Sequence, residues 1–173
     1  MPKVHLQRRM RHSPEDMLAL VADVPGYPEF INLVSSVRIL KKENFSPTHE
    51  RITADVGIAY KFISEQFRSH VNVDKDAKTL RVERAGHGGA VKSLRNDWHF
   101  IELKDGSTLI DFRLDVRLKA APLEFLIKQK FGKATNQIMG AFETRAGQIC
   151  TLVGDADYDF RAEAKALSRQ RVI

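Results

Sequence analysis

The sequence predicts an α+β domain in which a curved antiparallel sheet of six or seven strands wraps around one long carboxy-terminal helix. Three features point there. From about Val34 to Lys119 apolar and polar residues alternate with a period of two, a long helical stripe follows from Pro122, and only short helical signals come before. A helix of that length beside a single antiparallel sheet must lay its stripe across the sheet, because nothing else offers enough apolar surface.

The elements follow in order. His5–Met10 reads as a first strand. Ser13-Pro14-Glu15-Asp16 supplies a hydroxyl N-cap, a proline in the first turn and two acids there, and Met17, Leu20, Val21 and Val24 continue at helical spacing. Pro25-Gly26 stops that run, and Tyr27-Pro28-Glu29-Phe30 reads as a turn or a second short helix. Ile52, Ala54, Val56, Ile58, Tyr60 and Phe62 then alternate with polar or small residues. Ile110, Phe112, Leu114, Val116 and Leu118 alternate with Asp111, Arg113, Asp115 and Arg117, predicting one face inward and one charged face in water. Shorter runs fit Val37–Leu40, Phe67–Val73, Leu80–Arg84 and Leu94–Leu103. Turn signals fall at Asp74-Lys75-Asp76, Gly86–Gly89 and Asp105-Gly106-Ser107. The closing helix shows Leu123, Ile127, Phe131, Ala134, Ile138, Phe142 and Ile149 on one stripe. Past Gly154 the aliphatic period fades, so residues 1–153 are expected to be the domain and 154–173 a flexible tail.

Composition sets the bounds. With 173 residues, 43% of them hydrophobic and 29% charged, the chain can form one domain that buries a core without staples. One cysteine, Cys150, excludes an internal disulfide, and a small buried thiol is its expected state. No run approaches the ~18 apolar residues of a membrane span, and the charged start shows no secretory leader. A net charge of +6 and a pI near 9.5 are compatible with RNA, ribosomes or anionic membrane surfaces. The basic residues gather at Lys3, Arg8, Arg9 and Arg11, then at Lys128, Lys130 and Lys133.

Catalytic motifs are scarce. There is no Gly-x-Ser-x-Gly elbow, no Gly-x-x-x-x-Gly-Lys phosphate cradle and no Gly-x-Gly-x-x-Gly fingerprint. The six histidines (His5, His12, His49, His70, His87, His99) show no i,i+4 pairing on a helix, so no metal site is expected. Asp111 and Asp115 read as members of a solvated strand face, and Glu65 as a candidate buried carboxylate. The expectation is therefore not an enzyme and no cofactor. The aromatic set says more. Phe62, Trp98, Phe100, Phe112, Phe131 and Phe142 fall on apolar faces directed toward the space between sheet and helix, where apolar ligands usually bind. Leu114 and Ile138 join that lining, and Tyr60 is the candidate hydrogen-bond donor to a ligand carbonyl. The loop carrying Gly86, Gly88, Gly89 and Val91 is the candidate gate.

Several stretches resemble a known family. Leu20-Val21-Ala22-Asp23-Val24-Pro25-Gly26-Tyr27-Pro28-Glu29-Phe30 resembles the early signature of the coenzyme Q-binding protein family. Lys92-Ser93-Leu94 with Trp98-His99-Phe100 is similar to that family's Lys-x-Leu-x-x-x-Trp-x-Phe element, and Met139-Gly140-Ala141-Phe142-Glu143 looks like part of its closing helix. The resemblance spans about residues 2–150 and implies a helix-grip fold of the START/Bet v 1-like, polyketide cyclase-like superfamily, with two short helices after the first strand. Two departures stand out. Ile31-Asn32-Leu33-Val34 replaces the family's frequent Pro-Trp-Cys, and Gly89-Ala90-Val91 replaces a Gly-Pro-Phe. Both are expected near the mouth of the pocket.

The resemblance implies two functions. One is non-catalytic binding of ubiquinone, or a similar polyprenyl lipid, in support of respiration. The other is that of a ribosome association toxin that binds the large ribosomal subunit and blocks subunit joining. Ubiquinone would be a ligand rather than a cofactor. The expected location is the cytoplasm of a bacterium, including peripheral contact with the inner face of the plasma membrane, and DNA is not an expected partner. A third reading, an aromatase or cyclase, rests on superfamily analogy alone.

Overall fold

The computed structural model describes residues 3–60, 63–86, 89, 91–119 and 121–170. Along the chain come β1 (Lys3–Met10), α1 (Pro14–Ala22), a 3-10 helix (Val24–Glu29), β2 (Val34–Asn44), β3 (His49–Tyr60), β4 (Ile63–Asp74), β5 (Thr79–Arg84), β6 (Val91–Glu102), β7 (Thr108–Leu118), α2 (Ala121–Ile149) and α3 (Arg161–Gln170). The seven strands form one antiparallel sheet in the order β1-β7-β6-β5-β4-β3-β2. β2 through β7 are a meander, and β1 closes it by pairing with β7. β2, one of the two edges, carries register shifts at Val34/Ser36 and Ile39/Lys41, devices that discourage edge-to-edge pairing.

Local chemistry explains the first helix. Ser13 caps α1 by accepting from the Asp16 N–H at 3.2 Å, with Pro14 in the first turn and Glu15 and Asp16 against the helix dipole. Its Met17 and Val21 are fully buried. The Tyr27 hydroxyl donates to the carbonyl of Val21, which ties the 3-10 helix back onto α1. Burial, with Asp23 nearby, pushes the Tyr27 hydroxyl's pKa far above its usual value, so it stays a donor.

The register places Val73, Leu80, Trp98, Phe112 and Leu6 in one cross-strand row on the inner face. On them rests the carboxy-terminal half of α2. Its buried stripe is Thr135, Met139, Phe142 and Ala146, spaced by three or four. The aliphatic pattern had put Ala134, Ile138 and Ile149 there instead; Ala134 and Ile138 are half-buried and Ile149 is 57% exposed. This side faces the core because Phe142 packs its ring against Tyr27, Phe30 and Trp98, and the small Ala146 permits close approach.

Two expectations about charge are also corrected. Asp111 is not on a solvated face: its side chain is only 3% exposed and accepts from His5 Nε2 at 2.7 Å. It is covered because the outer face is a dense carpet of paired polar groups, with Arg51, Asn72, Arg81, Asp97, Arg113 and His5 aligned in one row. Asp115 does face water and pairs with Lys3 at 3.6 Å. Glu65 is exposed rather than buried.

The segment after Gly154, expected to be a flexible tail, instead contains α3 and is held by polar contacts. Arg9 donates to the Asp155 carbonyl at 2.8 Å and Arg11 to the Gly154 carbonyl at 2.7 Å. The Glu163 carboxylate accepts from the Lys104 N–H at 3.1 Å and from the Tyr158 hydroxyl at 2.5 Å. Attachment through hydrogen bonds leaves no aliphatic period for a sequence to display.

Candidate ligand groove

The closed end of the sheet–helix sandwich is filled. Trp98 lies 4.8 Å from Phe112 and 5.3 Å from Phe142 between ring centroids, both edge to face, and stacks on Phe100 at 6.0 Å. Phe142 also meets Tyr27 at 5.4 Å and Phe30 at 5.3 Å. These four expected lining residues, Trp98, Phe100, Phe112 and Phe142, are each 4% exposed or less. As built they are one another's packing partners, a common use of aromatic rings in cores. The Trp98 indole N–H donates to Asn96 Oδ1 at 2.6 Å, and the Asn96 amide donates to the Arg113 carbonyl at 2.9 Å, so this inward polar pair is satisfied.

Open space appears beside α2. A groove of about 420 Å³ runs between its middle turns and the link from the 3-10 helix to β2. Ala134, Ile138 and Ala141 form one wall; Phe30, Ile31 and Leu33, with Ala59 from β3, form the other. Asn32 and Gln137 are its polar groups, and their amides can donate to a carbonyl. That volume is within the range of small-molecule sites, roughly 300–1,000 Å³. Among the described residues, Ile138 is thus the member of the expected lining that borders the groove. Leu114 packs half-buried against the core, and Phe131 is half-buried on α2. The side chain of Tyr60 and all of Phe62 and Gly88 lie outside the described residues. Sequence reasoning did not name Phe30, Ile31, Leu33, Ala59, Ala134 or Ala141 as lining. The available signal was the Ile31–Leu33 departure, which does fall at this groove.

A larger groove of about 690 Å³ lies on the opposite face of the sheet. It is walled by Arg51, Arg81, Arg113 and their partners, including the His49–Asp74 contact at 2.9 Å and the Arg81–Asp97 contact at 2.5 Å. Asp97 is titrated in opposite directions by its surroundings: burial raises its pKa, the guanidinium groups of Arg81 and Arg95 lower it, and the lowering prevails. Such a wall suits water and not an apolar chain. Among the described residues no group of three or more His, Cys, Asp or Glu is arranged to hold a metal. Burial pushes the Cys150 thiol up, away from the reactive thiolate.

The candidate gate sits at the same end of the sheet as the amino terminus of α2, since Arg84, Val91 and Leu118 all end or begin strands there. Gly86 and Gly89 have φ of 70° and 75°, and a Cβ on Gly89 would come within 2.8 Å of the Gln66 carbonyl oxygen. Val91 is buried opposite Leu118.

Comparison with known proteins bears on this architecture. Residues 10–143 match the family described as polyketide cyclase / dehydrase and lipid transport. The ribosome association toxin RatA of Rickettsia prowazekii is 27% identical over 139 residues, covering 80% of this chain and 91% of that one. A solved aromatase/cyclase from Streptomyces superposes with a TM-score of 0.73 at 13% identity, covering 85% of this chain and 94% of that one. An 18 kDa protein of Caulobacter crescentus superposes at 0.71 with 24% identity, covering 86% and 98%.

Proposed function

The chain belongs to the polyketide cyclase/dehydrase and lipid transport family, and from that premise we propose that it carries a ubiquinone-like polyprenyl lipid without catalysing a reaction on it. The observation that supports this is the apolar groove between α2 and the Phe30–Leu33 link. Each 100 Å² of isoprenoid surface taken from water there contributes about 2.5 kcal/mol before the costs of association. Asn32 and Gln137 supply amide donors for a quinone carbonyl, a role expected earlier of Tyr60. The His–Asp contacts of the outer face lie across the sheet from the groove, which fits carriage rather than chemistry.

The test is organic extraction and mass spectrometry of protein purified from a ubiquinone-producing host, followed by titration of the emptied protein with a soluble short-chain ubiquinone. Trp98, the single tryptophan, is the fluorescent reporter. Bound quinone near one per chain, or a saturable fluorescence change, is expected. Neither signal from folded protein would defeat the proposal.

Association with the large ribosomal subunit is the second reading. The names of relatives such as the Rickettsia prowazekii toxin favour it, as does the exposure of Lys128, Lys130 and Lys133. It requires co-sedimentation with large subunits that weakens with salt, and with neutralisation of those lysines, by roughly one counterion per lysine. Co-sedimentation indifferent to both would remove it.

A further inference from the structure

The two halves of α2 differ. Its carboxy-terminal half is clamped into the core through Met139, Phe142 and Ala146. In its amino-terminal half Phe125, Lys128, Gln129, Lys130, Gly132 and Lys133 are all exposed. Phe125 keeps 63% of its surface in water, among the most exposed of the large apolar side chains described.

Charge is distributed just as unevenly. Many cations elsewhere are matched: Arg8 with Glu143, Arg9 with Asp105, Arg68 with Asp55, Arg81 and Arg95 with Asp97, Arg145 with Glu29. Lys119, Lys128, Lys130 and Lys133 are all exposed and make no ion pair with a described residue. The acid in this stretch is Glu124, and its Oε2 accepts from the Leu118 N–H at 3.2 Å. Residues 119–137 thus present four lysines against one occupied glutamate.

One lysine of this surface adjoins the groove. Helical spacing puts Lys130, Ala134, Gln137 and Ala141 on one row, so Lys130 lies one turn before the first groove residue. Phe125, Lys128 and Gly132 lie on the opposite side of the helix, the side that further along buries Thr135 and Met139. An exposed aromatic with flexible ammonium groups on the turns around it matches a bilayer interface: the ring enters the acyl boundary while the lysines reach headgroup phosphates. Among the described residues no helix is long and apolar enough to span, so the contact is interfacial. Lysine point charges suit a diffuse negative surface, whereas RNA recognition leans on arginine forks and stacked planar groups, and no arginine occurs between 119 and 137.

We propose that the amino-terminal half of α2, with Lys119, is the surface on which this protein docks to an anionic lipid bilayer, Phe125 being the inserted side chain and Lys128, Lys130 and Lys133 the headgroup contacts. This rests on the lipid-carriage reading, since docking there brings α2, one wall of the groove, to the lipid from which its ligand would come.

The experiment is flotation of the full chain with vesicles of phosphatidylcholine alone, and of phosphatidylcholine with about 30% phosphatidylglycerol, at low and high salt. Binding is expected to the anionic vesicles and to weaken with salt. The Lys128→Gln, Lys130→Gln, Lys133→Gln triple variant is expected to bind on the order of a hundredfold more weakly, and Phe125→Ala about tenfold. Both variants should still bind soluble short-chain ubiquinone as the wild type does, by Trp98 fluorescence, which verifies their fold. Equal binding to neutral vesicles, variants that bind as wild type, or capture by ribosomes with no flotation would each overturn the proposal. Quinone binding without flotation defeats docking and spares the carriage reading. Flotation that depends on Phe125 and the lysines, with no quinone binding, supports docking and defeats carriage.

Discussion

Asp105, in the turn between β6 and β7, is the point where the carboxy-terminal segment is tied to the sheet. Its Oδ2 accepts from Arg9 Nη2 at 2.5 Å and from the Asp155 N–H at 3.2 Å; its Oδ1 accepts from the Ser107 hydroxyl at 2.6 Å and the Ser107 N–H at 3.1 Å. The Asp105 and Arg9 side chains are each 9% exposed. Burial alone would raise the Asp105 pKa, but the four donors outweigh it and hold the carboxyl at about 2. A depressed carboxylate stabilises the fold above its unfolded pKa, close to 4, and that contribution is lost as pH falls toward the folded value. A shift from 3.8 to about 2 corresponds to about 2 kcal/mol at neutral pH, roughly half of it left at pH 3 and little at pH 2. Asp105→Asn should therefore lose at least about 2 kcal/mol at pH 7, because it also strands the buried Arg9 charge. The assay is urea unfolding of wild type and variant, followed by Trp98 fluorescence at pH 7 and pH 3. A difference below about 0.5 kcal/mol at pH 7, or one that does not shrink on acidification, would refute this account.

Two further outcomes can be checked with the same instruments. Phe142→Ala removes a ring that is 1% exposed and touches Tyr27, Phe30 and Trp98; it should cost about 3–5 kcal/mol in urea unfolding, and a loss under 1 kcal/mol would mean that the rings do not hold α2 down. Ala134→Leu fills part of the groove from a half-buried helical position, so quinone uptake should fall at least tenfold while the urea midpoint barely moves; unchanged uptake would place the ligand elsewhere.

The strands were legible because a sheet with one core face writes its register into the chain. Ile52, Ala54 and Val56, then Ile110 and Phe112, are buried where the period of two predicts. The same rule misplaced Asp111, since it assumes that the outer face meets water, whereas here His5 from β1 lies across it at 2.7 Å, a residue 106 positions away. Long-range pairing of polar groups leaves no local pattern. The segment after Gly154 was hidden for the same reason. Its anchor is Asp105, and Gly154 itself has φ of 74°, with a Cβ at that position colliding with the Asp105 carboxylate.

The groove was the least legible part, and α2 explains why. A count of aliphatics treats the helix as one stripe, but among the described side chains those buried are Thr135, Met139, Phe142 and Ala146, and the first of these is a hydroxyl. The Thr135 hydroxyl donates to the Phe131 carbonyl one turn back at 2.8 Å, so it is satisfied within the helix and can be buried without a partner from the sheet. That turn marks where the helix leaves the core. Beyond it toward the amino terminus, among the described side chains, Gly132 and the lysines contribute no apolar packing, Phe131 is half-buried, and Glu124 accepts from the Leu118 N–H. Ala134 and Ile138, which flank that turn, are half-buried and border the groove, so the groove lies where the burial pattern of α2 changes and no single stripe describes it.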